Sequence, residues 1–469
     1  MKWLLIINNA VFSECFKYVA QELKEKGDEV IIVTDSEYTN DKLKLQDIGC
    51  DLRIFTKWVK DNNNNKLDVL PNSWAVHSDF DRNNYYHYMS DAKYKNFWQI
   101  INSNLYSFYD NIFKNEKVDF IVYENVSNGM AAMAEKVGKH YNAKYLGITS
   151  SRLPGHIIFS STDDVLSECI EQAVTKGKGT ENESYINDYV SNIINIVPDY
   201  MKTNGLSSAN FLPKVFKRRK KNNLLTTLKY SVSPELYSFQ MGNPLLKSFY
   251  SNMREIKRFI TSKLIKKLYS NVDKGCKYYI YPLHYHPESS TSILARYYDE
   301  FNVIKNIAFS LPSNSYLYVK DHISAFGYES FLFYKKIALL PNVKLISPDQ
   351  NAKEMIRDCR GVFTLTSTVG YEAIILNKPV VVFGDVFYQR HPLVYKIKGF
   401  SDIPESISFM EMNGSVNFDD YTRSFLCAYK YLSIPFNLNY SGDSAVLKSK
   451  ASDIVNAILI SQEYIRAKE

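Results

Sequence analysis

Two histidines and a glutamate stand at alternate positions after one apolar stretch. In "YPLHYHPESSTS" they are His284, His286 and Glu288, and in an extended backbone alternate side chains point the same way. Such a set can bind a metal ion, be satisfied by backbone groups at a strand end, or contact a ligand. No further histidine or carboxylate ligand is evident nearby, so we favour contact with an anionic ligand and predict no bound metal. Ser289 opens the tail "SSTS", which is typical of a helix N-cap suited to anions.

A second set of polar residues lies in "FTLTSTVGYEAIIL", where a strand-like run leads into a helix that begins near Ser367 or Thr368. The first N–H groups of a helix lack intrahelical partners and carry the positive end of its dipole. Gly370 allows a ligand to approach closely. Glu372, one turn after Thr368, lies on the same face, where its carboxylate can accept hydrogen bonds from ribose hydroxyls. The pattern predicts a nucleotide-binding turn; ordinary capping is the alternative.

Other polar residues also end apolar runs. Lys320 and His322 end "SYLYVKDH" and can pair with phosphate oxygens, although a solvated lysine is the alternative. Glu124 ends "VDFIVYE" and is a candidate base for deprotonating an acceptor hydroxyl. Asp35 is a weaker candidate of the same kind. Arg152 is a candidate for orienting the acceptor or the donor.

The apolar runs alternate with segments of helical periodicity. "KWLLIIN", "DEVIIVT" and "VDFIVYE" do so in the first third, and the alternation resumes from "KYYIYPLHY" to "KPVVVFG". This predicts an α/β fold with two parallel-sheet, Rossmann-like domains facing each other across a cleft. Ligands of such sheets bind at the carboxyl ends of the strands, where the candidate residues of the second half fall.

The composition indicates an ordinary globular protein, with 45% hydrophobic and 23% charged residues among 469. Six scattered cysteines without a CxxC pair predict neither a disulfide framework nor a zinc site, and they favour a reducing compartment. The apolar start "WLLII" is too short for a signal-peptide core, and no run is long enough to span a bilayer. We therefore expect a cytoplasmic protein.

The net charge of +7 is unevenly distributed. Between Met201 and Ser270 there are 15 Lys/Arg and two Asp/Glu, a net charge of +13. Basic residues near a membrane surface each contribute about 1 kcal/mol to the binding of anionic lipid. A solvated linker with one basic helix and a nucleic-acid surface are the alternatives. We expect Lys214–Lys267 to contact an anionic membrane surface and, since no nucleic-acid-binding motif accompanies the segment, we expect no nucleic-acid partner.

"TSTVGYEAIILNKPVVVFG" resembles the donor-nucleotide segment of GT-B glycosyltransferases. More narrowly, the chain is similar to the bacterial capsule polysaccharide biosynthesis family, which includes transferases of Kdo from CMP-Kdo. "YPLHYHPESSTS", "YVKDH", "NVKLISP" and "FGDVFYQRHP" match in the same order between Lys277 and Pro392. The resemblance is weaker in the first half, where "YENVSNGMAAMAEKVG" and "SSRLPG" carry it. Ile323 stands where the family usually has a proline after the histidine.

The resemblance implies a metal-independent glycosyltransferase of capsule or lipopolysaccharide synthesis without a cofactor. Its donor is a nucleotide sugar, with CMP-Kdo or a related acidic sugar suggested, and its acceptor is a glycan or lipid-linked glycan. We assign Glu124 and His284 as catalytic candidates and Arg152 to the acceptor. The predicted donor-binding residues are His286, Glu288, Ser289, Lys320, His322, Ser367, Thr368, Gly370 and Glu372.

The predicted regions are an acceptor-binding domain (1–200), a basic helical linker or insertion (201–272), a nucleotide-sugar-binding domain (273–400) and C-terminal helices that pack back on the domains (401–469). We expect peripheral association at the inner face of the plasma membrane. Asp79 and Asp81 in "SDFDR" have the spacing of the metal-binding pair of GT-A transferases, but the surroundings are asparagine-rich and we interpret the segment as a loop.

Three alternative functions remain open from the sequence. One is a CDP-glycerol-type polyol-phosphate transferase. Another is an enzyme like UDP-GlcNAc 2-epimerase. The third is a non-catalytic component of an assembly complex that binds nucleotide or polysaccharide.

Overall fold

The structure of the protein is a computed structural model, and it describes residues 1–8, 13–62, 74–82, 97–197, 224–232, 240, 242–286, 290–297, 299–436 and 444–461. The strands are β1 Lys2–Ile6, β2 Glu29–Thr34, β3 Asp51–Ile54, β4 Phe120–Glu124, β5 Lys144–Ser150, β6 His156–Phe159, β7 Lys277–Pro282, β8 Ser315–Lys320, β9 Val343–Ile346, β10 Val362–Thr364, β11 Val380–Val382, β12 Val394–Lys396 and β13 Ser433–Pro435.

The α-helices of the described ranges are α1 Ser13–Glu25, α2 Glu37–Leu43, α3 Phe55–Asn62, α4 Trp74–Arg82, α5 Phe97–Asn115, α6 Gly129–His140, α7 Asp163–Thr175, α8 Glu183–Ser191, α9 Leu224–Val232, α10 Pro244–Leu264, α11 Glu300–Ser310, α12 Phe331–Ala338, α13 Ala352–Asp358, α14 Thr368–Ile375, α15 Ile403–Asn413, α16 Asp419–Leu432 and α17 Ser444–Ile460. Within these ranges no helix is long and apolar enough to cross a membrane.

The first sheet has the strand order β13-β6-β5-β4-β1-β2-β3. Strands β1 to β5 pair in parallel, and helices on both faces explain why β1 is a continuous apolar run whose residues from Trp3 to Ile6 are fully buried. The edge departs from the all-parallel expectation, because β6 and β13 run antiparallel. The connection from β5 to β6, residues 151–155, is too short for a crossover and permits only a reversal of direction.

The second sheet has the order β12-β11-β10-β7-β8-β9, and all its strands are parallel. The chain runs outward from β7 through β8 to β9 and then returns to β10 on the other side of β7. The crevice between β7 and β10 is therefore the topological switch point, where open α/β sheets bind ligands. The predicted α/β fold of GT-B type with two Rossmann-like units is confirmed.

The two units share buried contacts. Leu153 and Ile170 of the first half belong to the same apolar cluster as Tyr278 and Val362 of the second. The C-terminal part of the chain returns to the first unit, because β13 joins its sheet and α17 packs against α1. Helix α16 packs against α7 and α8.

The segment "SDFDR" is helical, so its interpretation as a loop is wrong: it lies in α4. The Asp79 side chain is buried, and its Oδ2 accepts the N–H of Gly129 at the start of α6 (2.6 Å). On the same helix, the Ser78 hydroxyl meets that of Ser292 at 2.6 Å. Asp79 thus accepts a hydrogen bond from the N-terminus of α6. The contact between Ser78 and Ser292 connects α4 of the first unit to the second unit.

Candidate functional site

A buried carboxylate organises the histidine cluster after β7. Glu300, the first residue of α11, is only 3% exposed. Its Oε1 accepts from the His284 ring at Nδ1 (2.8 Å), the His284 backbone N–H (3.0 Å) and the Tyr281 hydroxyl (3.0 Å), and its Oε2 accepts from His286 Nε2 (2.9 Å). Burial alone would raise the pKa of Glu300, but the hydrogen bonds from His284 and His286 lower it to about 2. Glu300 is therefore an ionised buried acceptor that fixes both histidines.

Thr364 connects this cluster to the turn before α14. His284 Nε2 lies 3.1 Å from the Thr364 hydroxyl, and that hydroxyl oxygen accepts the Ser367 backbone N–H at 2.9 Å. Since an ionised carboxylate only accepts, His284 donates from Nδ1, and its neutral form then accepts the Thr364 proton at Nε2. Both ring nitrogens are engaged with protein groups. This geometry favours a positioning role for His284, and its catalytic role stays a prediction.

Ser367 and Thr368 begin α14 as the sequence predicts. Ser367 is the N-cap, and its side chain accepts the Val369 N–H at 3.2 Å. Gly370 packs against Tyr388, whose hydroxyl donates to the Ser367 carbonyl at 2.7 Å. In this chain the close approach that Gly370 permits is therefore filled by a tyrosine ring, which supports the turn from behind.

The end of β8 places three titratable groups beside the histidine cluster. Burial lowers the pKa of Lys320 to about 8, although Asp321 and Glu372 oppose this, and its Nζ donates to the Pro348 carbonyl at 3.1 Å. Burial lowers the pKa of His322 to about 4, so this ring is neutral near pH 7. The Ser324 N–H donates to His322 Nδ1 at 3.2 Å, which leaves the proton on Nε2. His322 thus offers a neutral hydrogen-bond donor rather than a cation.

Asp321 lies between these two residues and was not predicted as part of the site. Its Oδ2 accepts the Tyr269 hydroxyl at 2.6 Å and its Oδ1 accepts the His322 backbone N–H at 2.8 Å. Burial raises the pKa of Asp321 to about 7, although these hydrogen bonds and Lys320 counteract the effect. The Asp321 carboxylate fixes the backbone that carries His322.

A pocket lies between the two units. The first unit contributes the turn after β5 and the end of α8, and the second contributes α13 and α14; the lining residues are Ser150, Ser151, Arg152, Pro154, Tyr189, Ile193, Ile196, Lys353, Thr368, Tyr371 and Glu372. Three of them, Arg152, Thr368 and Glu372, are sequence-predicted site residues that the fold brings together from opposite halves of the chain. The pocket thus combines a helix N-terminus with cationic and carboxylate side chains.

The charges of this pocket are only partly paired. Lys353 Nζ lies 3.5 Å from Glu372 Oε1 and also donates to the Ile196 carbonyl. Burial raises the pKa of Glu372, while the charges of Lys353, Lys320 and Arg152 lower it. The Arg152 guanidinium is exposed and forms no ion pair with any residue that the structure describes. The described charged groups that line the pocket, Arg152, Lys353 and Glu372, therefore carry a net positive charge.

Glu124 occupies the corresponding position in the first unit. It ends β4 beside β1, at the switch point of that sheet. The Ser127 hydroxyl donates to its carboxylate, and the Tyr145 hydroxyl donates to its carbonyl at 2.9 Å. Glu124 does not line the pocket that holds Arg152. Asp35, the weaker candidate, is fully buried and accepts from the Thr39 hydroxyl at 2.6 Å, which is a structural contact.

Two of the predicted donor-binding residues, Glu288 and Ser289, lie outside the described residues. The rest of "SSTS" forms part of a π-helical turn, Ser290–Ala295, rather than the start of an α-helix. Among the described residues no cluster of three or more His, Cys, Asp or Glu has the arrangement of a metal site.

The architecture defines the class: an α/β protein of GT-B type with a pocket between its two units. Residues 206–401 match the model of the family described as capsule polysaccharide biosynthesis protein. The resemblance predicted from the strand-end motifs is thereby confirmed.

One curated relative is the capsule polysaccharide export protein KpsS of Escherichia coli, which is 25% identical over 152 residues. The match covers 30% of this chain and 38% of the relative, so it spans well under half of that protein's length.

Two solved structures are similar to the chain at low TM-scores. The glycosyltransferase from Rickettsia africae ESF-5 has 12% identity and a TM-score of 0.30, with 98% of each chain covered. The beta Kdo 2,7 transferase KpsC of Thermosulfurimonas dismutans has 12% identity and a TM-score of 0.34, with 75% of this chain and 89% of that chain covered.

Proposed function

We propose that the protein is a glycosyltransferase of bacterial surface polysaccharide synthesis. It transfers a sugar from a nucleotide-activated donor, CMP-Kdo or a related acidic sugar, to a glycan or lipid-linked acceptor. The observation that carries the proposal is the pocket between the units, where the N-terminus of α14, Lys353 and Arg152 converge. Both a nucleotide phosphate and the carboxylate of an acidic sugar are ligands for such a group of donors.

The reaction then relies on positioning and on stabilising the departing phosphate. The N-terminus of α14 at Thr368 supplies the positive end of a helix dipole, and Lys320 and His322 supply further donors at the end of β8. Glu300 has an indirect part, because it holds His284, and His284 holds Thr364 beside the Ser367 N–H. A turn fixed before the donor binds loses little entropy on binding.

Glu124 is proposed as the base that takes the proton of the acceptor hydroxyl. Its place at the switch point of the first sheet supports this role, and no metal ion or cofactor enters the proposal. Arg152 reaches the donor pocket from the first unit, so it is proposed to orient the substrate across the boundary between the two units.

Product analysis tests the reaction class. Incubation with CMP-Kdo and a Kdo-containing lipid or oligosaccharide acceptor is expected to yield CMP and an acceptor whose mass has increased by one sugar. Arg152→Ala is expected to reduce turnover strongly, whereas the exposed, matched Arg360→Ala should not. Transfer of glycerol phosphate from CDP-glycerol, isomerisation of UDP-GlcNAc, or turnover of no donor would contradict the proposal and support the corresponding alternative.

A further inference from the structure

Helix α10, Pro244–Leu264, turns an apolar face away from the protein. Its large hydrophobic side chains are between 39% and 57% exposed, and they are Leu245, Leu246, Phe249, Met253, Ile256, Ile260 and Leu264. At 100° per residue they occupy one arc of about 100°. The neighbouring α9 adds Leu225, Leu228 and Val232, which are 83%, 41% and 81% exposed.

The opposite face of α10 attaches the helix to the protein through polar groups. Arg258 is 8% exposed, and it donates to the Phe326 carbonyl (Nε, 3.1 Å) and the Ser324 carbonyl (Nη2, 2.8 Å). Thr261 and Ser262 are buried beside it. A surface helix normally buries its apolar stripe and exposes its polar face. Here the orientation is reversed, and within the part of the chain that the structure describes the stripe is left exposed.

The charge beside the stripe indicates what it meets. Lys257 and Lys263 border the stripe on its two sides, and Lys266 and Lys267 follow directly after the helix. From Pro244 to Leu268 the only acidic residue is Glu255, against seven Lys or Arg. An apolar helix face with a basic border is typical of helices that lie in the plane of a membrane interface and contact anionic lipid.

We propose that α10 docks the protein on a membrane rich in anionic lipid, with its apolar stripe inserted among the lipid chains and its lysines on the headgroups. A second copy of the chain is a less suitable occupant, because a two-fold interface would set this basic surface against itself. The proposal concerns binding alone and does not depend on the reaction. Arg258 attaches α10 to the loop that follows His322, so docking of α10 would place the second unit's candidate site close to a lipid surface.

Vesicle flotation tests the proposal. The full chain is expected to float with phosphatidylcholine vesicles containing about 30% phosphatidylglycerol and to bind pure phosphatidylcholine much more weakly. The triple variant Phe249→Ser, Ile256→Ser, Ile260→Ser is expected to lose roughly 100-fold or more of its partition, because three apolar side chains no longer leave water.

A matched control makes the same chemical change elsewhere. Phe309→Ser, Leu332→Ser, Leu339→Ser replaces side chains that are 63%, 58% and 71% exposed, in α11, in α12 and directly after α12, and it should bind vesicles like the wild type. The pair Lys257→Gln, Lys263→Gln leaves the stripe intact and should weaken binding to anionic vesicles only.

Several outcomes would overturn the proposal. Wild-type protein that stays unbound with anionic vesicles would do so, as would a stripe variant that binds like its control. Equal binding to neutral and anionic vesicles would show that the lysines do not contribute to binding through the anionic headgroups. Light scattering after size exclusion separates the remaining case: a wild-type dimer that the stripe variant converts to monomer, without vesicle binding, would assign the stripe to a second copy.

Discussion

Replacing Glu300 with glutamine tests whether this buried carboxylate holds the histidine cluster. The change keeps the shape of the side chain and removes its charge, and it puts an NH₂ group where one of the ring N–H groups now donates. The pKa of Glu300 falls from its ordinary 4.5 to about 2 in the fold, which corresponds to about 3 kcal/mol of stabilisation at neutral pH. We therefore expect Glu300→Gln to lower local stability by about 3 kcal/mol.

The dependence on pH has a definite sign. A carboxyl whose folded pKa is depressed contributes its stabilisation above the unfolded pKa and loses it as pH falls. The contribution of Glu300 should be complete near pH 7, about 1 kcal/mol smaller at pH 4, and lost toward pH 2. The difference in local stability between wild type and Glu300→Gln should become smaller as pH falls over the same range.

Hydrogen exchange of peptides from β7 and α11 measures the change in local stability, without assuming that the two units unfold together. Relative to intrinsic rates, Glu300→Gln should exchange roughly 100-fold faster in these peptides at pH 7. Glu25→Gln, at an exposed position of α1, is the matched control and should leave them unchanged. Equal exchange in both variants, or a difference that does not narrow as pH falls, would refute the role of Glu300.

Two further predictions concern the proposed donor site. The affinity for a nucleoside phosphate should fall as pH rises through about 8, because Lys320 loses its charge there, and Lys320→Gln should remove this dependence; the same pH profile by calorimetry in both proteins would contradict it. Gly370→Ala should lower the free energy of unfolding by about 1–3 kcal/mol, because the new methyl group meets the hydroxyl of Tyr388 and lies 3.0 Å from its ring Cζ. Adding Tyr388→Phe should restore part of the melting temperature, and an unchanged melting temperature for Gly370→Ala alone would show that the contact relaxes freely.

The turn before α14 could be predicted from the sequence because its signals are local. A strand, a serine N-cap and a glycine within a few residues specify it, and Ser367 caps α14 as expected. The alternation of strands and helices likewise predicted two parallel-sheet units, since each element bears its own periodicity.

Glu300 could not be predicted because its partners are set by tertiary packing. It lies 14 and 16 residues after the two histidines, and as an acidic residue in a helix's first turn it resembles ordinary dipole compensation. Lys353 could not be predicted for the same reason. A lysine on a short helix is ordinarily solvated, and only the packing of α13 against α14 places it beside Glu372. The antiparallel edge strands depend on β13, which returns from the far end of the chain.

The central claim is that a nucleotide binds where Arg152 faces the N-terminus of α14. A thermal-shift screen with CMP, CDP, UDP and GDP tests it most directly, because a ligand at 100 times its Kd stabilises the folded protein by about 2.7 kcal/mol. We predict that CMP raises the melting temperature of the wild type and of Arg360→Ala, and that Arg152→Ala loses most of this shift. A melting temperature unchanged by every nucleotide, or a shift that Arg152→Ala retains in full, would contradict the claim.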